Sequence, residues 1–263
     1  MDKLVFLGTG GDHIVVGKQL RNSGGIVLIT EGMQFLIDPG PGCLLNAKNL
    51  GIHMRENTAI LVTHSHVNHS NDLNATISAT THNGLDKKGV LFASKSVIEG
   101  NILQEHFKNC MEKIIIAEPG KKIAINKVEI DVFKCEHSED SVGFKILCPK
   151  FTLAYSGDTE YYKGFEDNFK DIDIIILNVQ EPFDKKEKGH LSADDVLKIL
   201  TKVQPKLVVL THFGSKMLAA DPIEVTRQLE IKSKVNLMAA KDGMTLNPVT
   251  YSSGIRQKTL NIY

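Results

Sequence analysis

Short apolar runs bounded by glycine, asparagine and aspartate recur along most of this chain. Runs of that length, rich in Ile, Val, Leu and Phe, predict strands more than long helices. Lys3 to Leu7 is the first, and Gly8-Thr9-Gly10-Gly11 breaks it. Ile26 to Thr30 and Gln34 to Ile37 predict a hairpin turning at Glu31-Gly32. Further strands are predicted at Ile60 to Val62, Gly89 to Ala93, Lys127 to Val132, Val142 to Cys148, Thr152 to Tyr155, Ile172 to Val179, Leu207 to Leu210 and Val235 to Met238. Lys127 to Val132 alternates strictly, as a half-buried strand does, whereas Ile172 to Val179 is dense enough in apolar residues to be buried on both faces.

Helical spacing is rarer. Leu73 and Ile77 predict a helix that Asn83-Gly84 stops, and Val97 to Cys110 predicts another, carrying His106. Ser192-Ala193-Asp194-Asp195 opens like a capping box; Val196, Leu197, Leu200 and Val203 then form an apolar face, and Pro205 ends it. Asp221-Pro222-Ile223-Glu224 sets an N-cap, a first-turn proline and an acid at the start of the last helix. Asp12-His13 carries no helix signal, so Gly8 to Gly11 reads as a tight turn that lets backbone approach a site, in preference to a nucleotide cradle.

The apolar pattern also repeats. Leu61-Val62-Thr63-His64 and Val209-Leu210-Thr211-His212 are nearly one word, while Phe35 to Asp38 and Leu153 to Asp158 both end an apolar strand in an acid. Two related β-rich halves facing one site are predicted. Strands alternating with helices place the chain among α/β proteins.

Composition narrows the setting. Hydrophobic residues make up 42% and charged residues 24%, with a formal net charge of zero, so no polybasic surface for tight non-specific nucleic-acid binding is implied. No stretch approaches the ~18 apolar residues of a membrane span, and the N-terminal run is too short for a signal peptide. Cys43, Cys110, Cys135 and Cys148 are scattered without a Cys-x-x-Cys pair, which predicts reduced thiols and a cytoplasmic location.

The candidate chemistry sits at His64-Ser65-His66-Val67-Asn68-His69, three histidines within six residues directly after a predicted strand. Buried imidazoles need partners for both ring nitrogens, and a metal ion satisfies several rings at once. Further candidates recur at strand ends: His137, Ser156-Gly157-Asp158-Thr159, Gly189-His190-Leu191-Ser192 and Leu210-Thr211-His212. His13, His53, His82 and His106 have no motif around them and read as surface or satisfied core residues.

This ordered set resembles the metallo-β-lactamase superfamily, whose signature is His-x-His-x-Asp-His, and the resemblance extends over nearly the whole chain. It implies a four-layer αββα sandwich, here a single domain over 1–263, with ligands along one edge. It also implies two divalent metal ions, zinc foremost with manganese or iron as alternatives. His64, His66 and His137 would hold one ion; His69, His212 and position 68 the other; Asp158 would bridge both. Asp38 would buttress a ligand ring through its distal N–H, the alternative being an Asx turn ahead of Pro39. His190 is similar to a histidine of the ribonuclease Z and phosphodiesterase branches that stabilises charge on the substrate phosphate or protonates the leaving group.

Asn68 departs from that signature. A neutral carboxamide offers one carbonyl oxygen and cannot act as a base, so the second metal site is expected to be weak. Asp72, one helical turn further on, is the nearby acid placed to compensate.

Two metals about 3.5–4 Å apart activate a hydroxide and clamp the attacked and leaving oxygens, a site that hydrolyses phosphodiesters, thioesters, lactones or lactams, and the resemblance carried by Gly189-His190-Leu191-Ser192 and Leu210-Thr211-His212-Phe213-Gly214 favours phosphodiesters. The tRNA-binding arm common in ribonuclease Z would lie between His137 and Asp158, but only 21 positions separate those residues, enough for a hairpin. The expected partner is therefore a small-molecule or short nucleic-acid phosphodiester, with no membrane. Lactone or thioester hydrolysis, and a metal-containing binding or regulatory role without turnover, stay open. The run Lys185-Lys186-Glu187-Lys188 belongs to a polar loop over Gln180 to Gly189, either a solvated loop or a lid.

Overall fold

The computed structural model describes residues 2–138 and 140–252; the last part of the predicted 1–263 domain lies outside the described residues. Among the described residues, the strands are β1 (Lys3–Phe6), β2 (Ile26–Thr30), β3 (Met33–Ile37), β4 (Asn57–Val62), β5 (Val90–Ala93), β6 (Lys113–Ile116), β7 (Lys122–Ile125), β8 (Val128–Lys134), β9 (Val142–Leu147), β10 (Thr152–Tyr155), β11 (Ile174–Glu181), β12 (Leu191–Ser192), β13 (Leu207–Thr211), β14 (Leu237–Ala239) and β15 (Thr245–Leu246). One sheet runs in the order β15-β1-β2-β3-β4-β5-β6, the other β14-β13-β11-β10-β9-β8-β7, with β12 beside β11.

The two sheets share a plan, as the repeated words in the sequence predict. In the first, β1, β2 and β3 are antiparallel and β3 to β6 are parallel. In the second, β7 to β10 are antiparallel and β10, β11, β13 and β14 are parallel. Asp38 and Asp158 follow the strand at which each sheet changes from antiparallel to parallel. His64 and His212 follow β4 and β13 in the parallel parts. Strand ends of this kind open a crevice where α/β folds bind ligands.

Three apolar layers join the parts into an αββα sandwich. Phe35, Phe92, Phe144, Leu153 and Ile176 fill the space between the sheets. Phe165, Val179, Val196, Leu200 and Leu229 pack helices Ala193–Leu200 and Pro222–Ser233 onto the second sheet. Leu36, Ile60, Leu73, Ile77 and Val97 do the same for helices Leu73–Thr81 and Lys95–Glu99 on the first. All eight positions of β11 are buried, as its unbroken apolar run predicts. The Ser192 capping box is formed, with Ser192 accepting from the Asp195 N–H and the Asp195 carboxylate accepting in return.

Several expectations are corrected. Val97 to Cys110 is two short helices, Lys95–Glu99 and Glu105–Lys108, because Gly100 ends the first. A helix does follow the glycine turn, His13–Gly17, capped by Asp12 through Val15 N. Helix Cys43–Asn49 and strands β6 and β7 also lack a clear sequence signal; β7 pairs only through β8, and its residues alternate between half-buried and exposed. Gln180 and Glu181 belong to β11, so the polar loop begins at Pro182. All four cysteines are free and buried. Among the described residues no helix is long and apolar enough to cross a membrane.

Candidate metal centre

β4 delivers Thr63 and His64 to the sheet edge, and the chain then turns into the short helix Val67–Ser70, which carries Asn68 and His69. Behind this turn lies Asp38, at a positive φ of 51° that a non-glycine residue occupies only when its surroundings hold it there. Its Oδ1 accepts from Thr63 N at 2.8 Å, and its Oδ2 accepts from Thr63 Oγ1 and Tyr155 Oη, each at 2.8 Å. That same Oδ2 lies 2.8 Å from His69 Nδ1. Asp38 thus acts as the predicted buttress, not as an isolated Asx turn.

These bonds settle which nitrogens face the site. Thr63 Oγ1 has given its hydrogen to Asp38, so it accepts from His64 Nδ1 at 3.0 Å and leaves His64 Nε2 with a free lone pair. His69 spends Nδ1–H on Asp38 and turns Nε2 inward. His137 donates Nδ1–H to Gly189 O at 2.8 Å, so its Nε2 is also free. Gly189 has φ +79°, and a Cβ there would stand 2.7 Å from His137 Nδ1, so glycine is required.

His64 Nε2 lies 3.1 Å from His66 Nδ1, which lies 2.9 Å from His137 Nε2. A tetrahedral ion with bonds of about 2.0–2.1 Å sets its donors roughly 3.3 Å apart. Three imidazole nitrogens converging this closely, with the distal nitrogens of His64 and His137 tied to protein, fit a shared cation. Asp158 stands beside them. Its Oδ2 is 3.1 Å from His212 Nε2, 3.2 Å from His69 Nε2, 3.7 Å from His190 Nδ1 and 3.9 Å from His137 Nε2. Asn178 Nδ2 donates to the other oxygen at 2.7 Å. The geometry groups His64 with His66 and His137, and His64 with His69 and Asp158; it also offers His137, Asp158 and His190 as a further set.

Electrostatics follow burial and neighbours. Burial pushes His64 well below the ordinary imidazole range and lowers His66 and His137, with neighbouring rings adding to the effect. Burial alone would raise Asp158, but His212 and His69 outweigh it and hold the carboxyl well below its usual range. Burial would lower His69, but Asp158 and Asp38 hold it up at about 10. Burial pushes His190 down to about 4.

Asn68 faces the same centre from the other side. Its Nδ2 donates to Gly11 O at 3.0 Å and lies 3.5 Å from His212 Nε2. Gly11 closes against His212, where a Cβ would come within 2.3 Å of the His212 carbonyl oxygen. The glycine turn therefore serves close backbone approach, as the sequence suggests. Asp72 does not compensate for Asn68; its carboxylate accepts from Leu44 N and Asn71 Nδ2 and faces a different cavity.

A cleft of about 380 Å³ opens onto the centre. His66, Asn68, His137, Asp158 and His190 line it, together with Val16, Val67 and Gln180. His13, read from sequence as a surface or satisfied core residue, is exposed and sits on this cleft's wall. The polar loop is tied down: Lys216 Nζ reaches Glu181 Oε1 at 3.2 Å and Glu187 Oε2 at 3.4 Å, and Gly189 N donates to Glu160 Oε2 at 3.3 Å. Thr63 and Gly189 stand inside the motifs around His64 and His190 without being candidates in their own right, and Tyr155 and Asn178 support the site but carry no motif. Only their place at strand ends marks them.

With the fold and the centre in view, residues 33–213 match the family model for the β-lactamase superfamily domain, and the chain belongs to that family. It is 26% identical over 223 residues to an uncharacterized protein of Methanocaldococcus jannaschii, covering 82% of this chain and 84% of that one. It is 25% identical over 190 residues to a ribonuclease Z of Methanopyrus kandleri, covering 71% of this chain and 63% of the other. In structure it resembles the metallo-β-lactamase fold protein YhfI from Bacillus subtilis, with a TM-score of 0.79, 17% identity, and 93% and 98% of the two chains covered. Family, relatives and histidine cluster together support a metal-dependent hydrolase.

Proposed function

We propose that this chain hydrolyses phosphodiesters of small molecules or short nucleic acids, using two divalent cations, with zinc foremost and manganese or iron as alternatives. His64, His66 and His137 would hold the first cation, His69 and His212 with Asn68 the second, and Asp158 both. Such cations supply Lewis acidity and a nucleophile from water near neutral pH. The protein's part is to orient. Asp38, Gly189 and Thr63 fix the rings of His69, His137 and His64 through their distal nitrogens, and Asn178 fixes Asp158. His190, in the cleft wall and neutral near pH 7 because burial holds it down to about 4, is assigned to stabilise charge on the substrate phosphate through a ring N–H, or to hand a proton to the leaving oxygen once a bound phosphate's charge has raised it. One inter-sheet core shared by both halves supports reading 1–263 as a single domain, and the composition supports a cytoplasmic one.

The single observation that carries this reading is the convergence of the His64, His66 and His137 ring nitrogens beside Asp158, with His190 facing the same carboxylate at 3.7 Å. The ribonuclease Z relative supports phosphodiesters over lactones and thioesters. Residues between His137 and Asp158 form β9 and β10, a hairpin with no protruding arm, which supports a small substrate.

The test is turnover of bis(p-nitrophenyl) phosphate by protein loaded with zinc or manganese, beside thioester and lactone panels. Phosphodiester turnover that disappears in His64→Ala and His190→Ala supports the proposal. Turnover of a lactone or thioester alone would reassign the substrate. No turnover from folded, metal-loaded protein would leave the binding or regulatory reading, which the engagement of the Asn68 carboxamide by Gly11 favours.

A further inference from the structure

Strand alternation places Asn178 and Gln180 on one face of β11 and Val179 on the other. Val179 packs into the apolar layer beneath the helices, and Asn178 donates to Asp158, so Gln180 shares the face that looks onto the site. Its side chain is held in place: Gln180 is only 4% exposed, and a Cβ at Gly214 would come within 2.7 Å of its Cγ. Its backbone oxygen accepts from Gly214 N at 3.2 Å. The carboxamide itself, however, has no hydrogen-bond partner among the described residues, while the residue lines the cleft beside Asp158 and His190. The amide atoms of this largely buried side chain are not sealed from solvent, so water meets them in the free protein, and a group that arrives in the cleft can take that water's place on a side chain already fixed in position.

The rest of the wall says what that group is. No lysine or arginine lines the cleft among the described residues: the loop's own Lys185, Lys186 and Lys188 are absent from its wall, and Lys216 is paired with Glu181 and Glu187. Beyond the cations, an incoming phosphate therefore meets neutral donors such as Gln180 on a wall that also carries the carboxylates of Asp12 and Glu187, which repel a long polyanion. A carboxamide N–H gives a directed bond to one phosphate oxygen without the field that would draw in a long polyanion.

We propose that Gln180 is a substrate-binding residue whose carboxamide N–H holds a non-bridging oxygen of a single phosphate group in the cleft. This rests on the phosphodiester reading, and the experiment separates the two. Inorganic phosphate is titrated by calorimetry into the metal-loaded wild type and into Gln180→Ala, Gln180→Met and Gln180→Glu, with metal content and melting temperature measured for each. Gln180→Met keeps the volume and removes the amide, so it stands in if Gln180→Ala fails to fold. The loss of one hydrogen bond to a charged group weakens phosphate binding about tenfold or more in Gln180→Ala and Gln180→Met, and the added negative charge of Gln180→Glu weakens it further. In bis(p-nitrophenyl) phosphate turnover, KM rises and kcat changes less. Phosphate affinity within twofold of wild type in Gln180→Met, at unchanged metal content, overturns the assignment, as does a wild type that does not bind phosphate. A wild type that turns over the diester while Gln180→Met binds phosphate normally sinks this inference alone. A wild type without turnover whose phosphate affinity depends on Gln180 sinks only the enzymatic reading.

Discussion

His69 Nδ1 and Asp38 Oδ2 stand 2.8 Å apart, both buried, with Thr63 and Tyr155 donating to the same carboxylate. The His69 ring and the main-chain turn that carries it are thus anchored to one side chain. Replacing Asp38 by alanine leaves these donors unpaired in the interior. A stability loss of about 3 kcal/mol is expected in chemical denaturation, since breaking a buried pair on one side strands the other. Metal affinity, measured by competition with a chromophoric chelator, should fall by ~10–100-fold, the usual cost of losing such a support. Unchanged affinity in a folded variant would show that His69 needs no anchor.

Asn68→Asp tests the departure from the family signature. In the present position, an aspartate oxygen would face the Gly11 carbonyl at the 3.0 Å now spanned by an N–H donor. The metal-free variant should therefore be less stable than wild type, while its second cation is held more tightly because an anion has replaced a neutral oxygen. Elemental analysis across a chelator series reads the second effect and thermal unfolding the first. Full and equal loading of both proteins with two metals would refute the expectation of a weak second site.

Proton release should distinguish the two cation sites. Burial leaves His64, His66 and His137 deprotonated at neutral pH, whereas Asp158 and Asp38 overcome burial to hold His69 protonated up to about 10. Loading the second site must displace about one proton from His69, and loading the first almost none. Calorimetry in buffers of differing ionisation enthalpy measures this count. For the metal-free protein the sign follows from a folded value above the ordinary 6.5. The His69 contribution to stability is complete below about 6.5 and is lost as pH rises toward about 10. A metal-free unfolding midpoint that rises across that window would contradict the assignment.

Gly189→Ala separates backbone geometry from ligand chemistry. The position has φ +79°, and the new methyl would press on His137 Nδ1. Strain of about 1–3 kcal/mol is expected in denaturation. The His137 ring should turn, reducing affinity for the first cation by roughly tenfold. Wild-type loading in a destabilised variant would mean that the Gly189 carbonyl does not orient the ring.

The sequence by itself determined most of the strands, through local apolar periodicity; the layer architecture came from the resemblance to the superfamily, and the candidate ligand set from the order of His and Asp at strand ends, residue types that few other roles require there. Buried β11 and the Ser192 cap were legible for the same reason. Strands β6 and β7 were not, since neither shows the buried alternation that marks a strand, and pairing with neighbours defines them. Nor was the fate of Asp72, whose spacing from Asn68 suggested help but whose carboxylate points to another cavity. Only the tertiary structure decided which ring nitrogen each histidine presents, because Asp38, Thr63 and Gly189 act from separate elements. It also placed the unpartnered amide of Gln180 in the cleft. Hydrogen-bond direction and close backbone approach arise between segments far apart in the chain, and local spacing does not encode them.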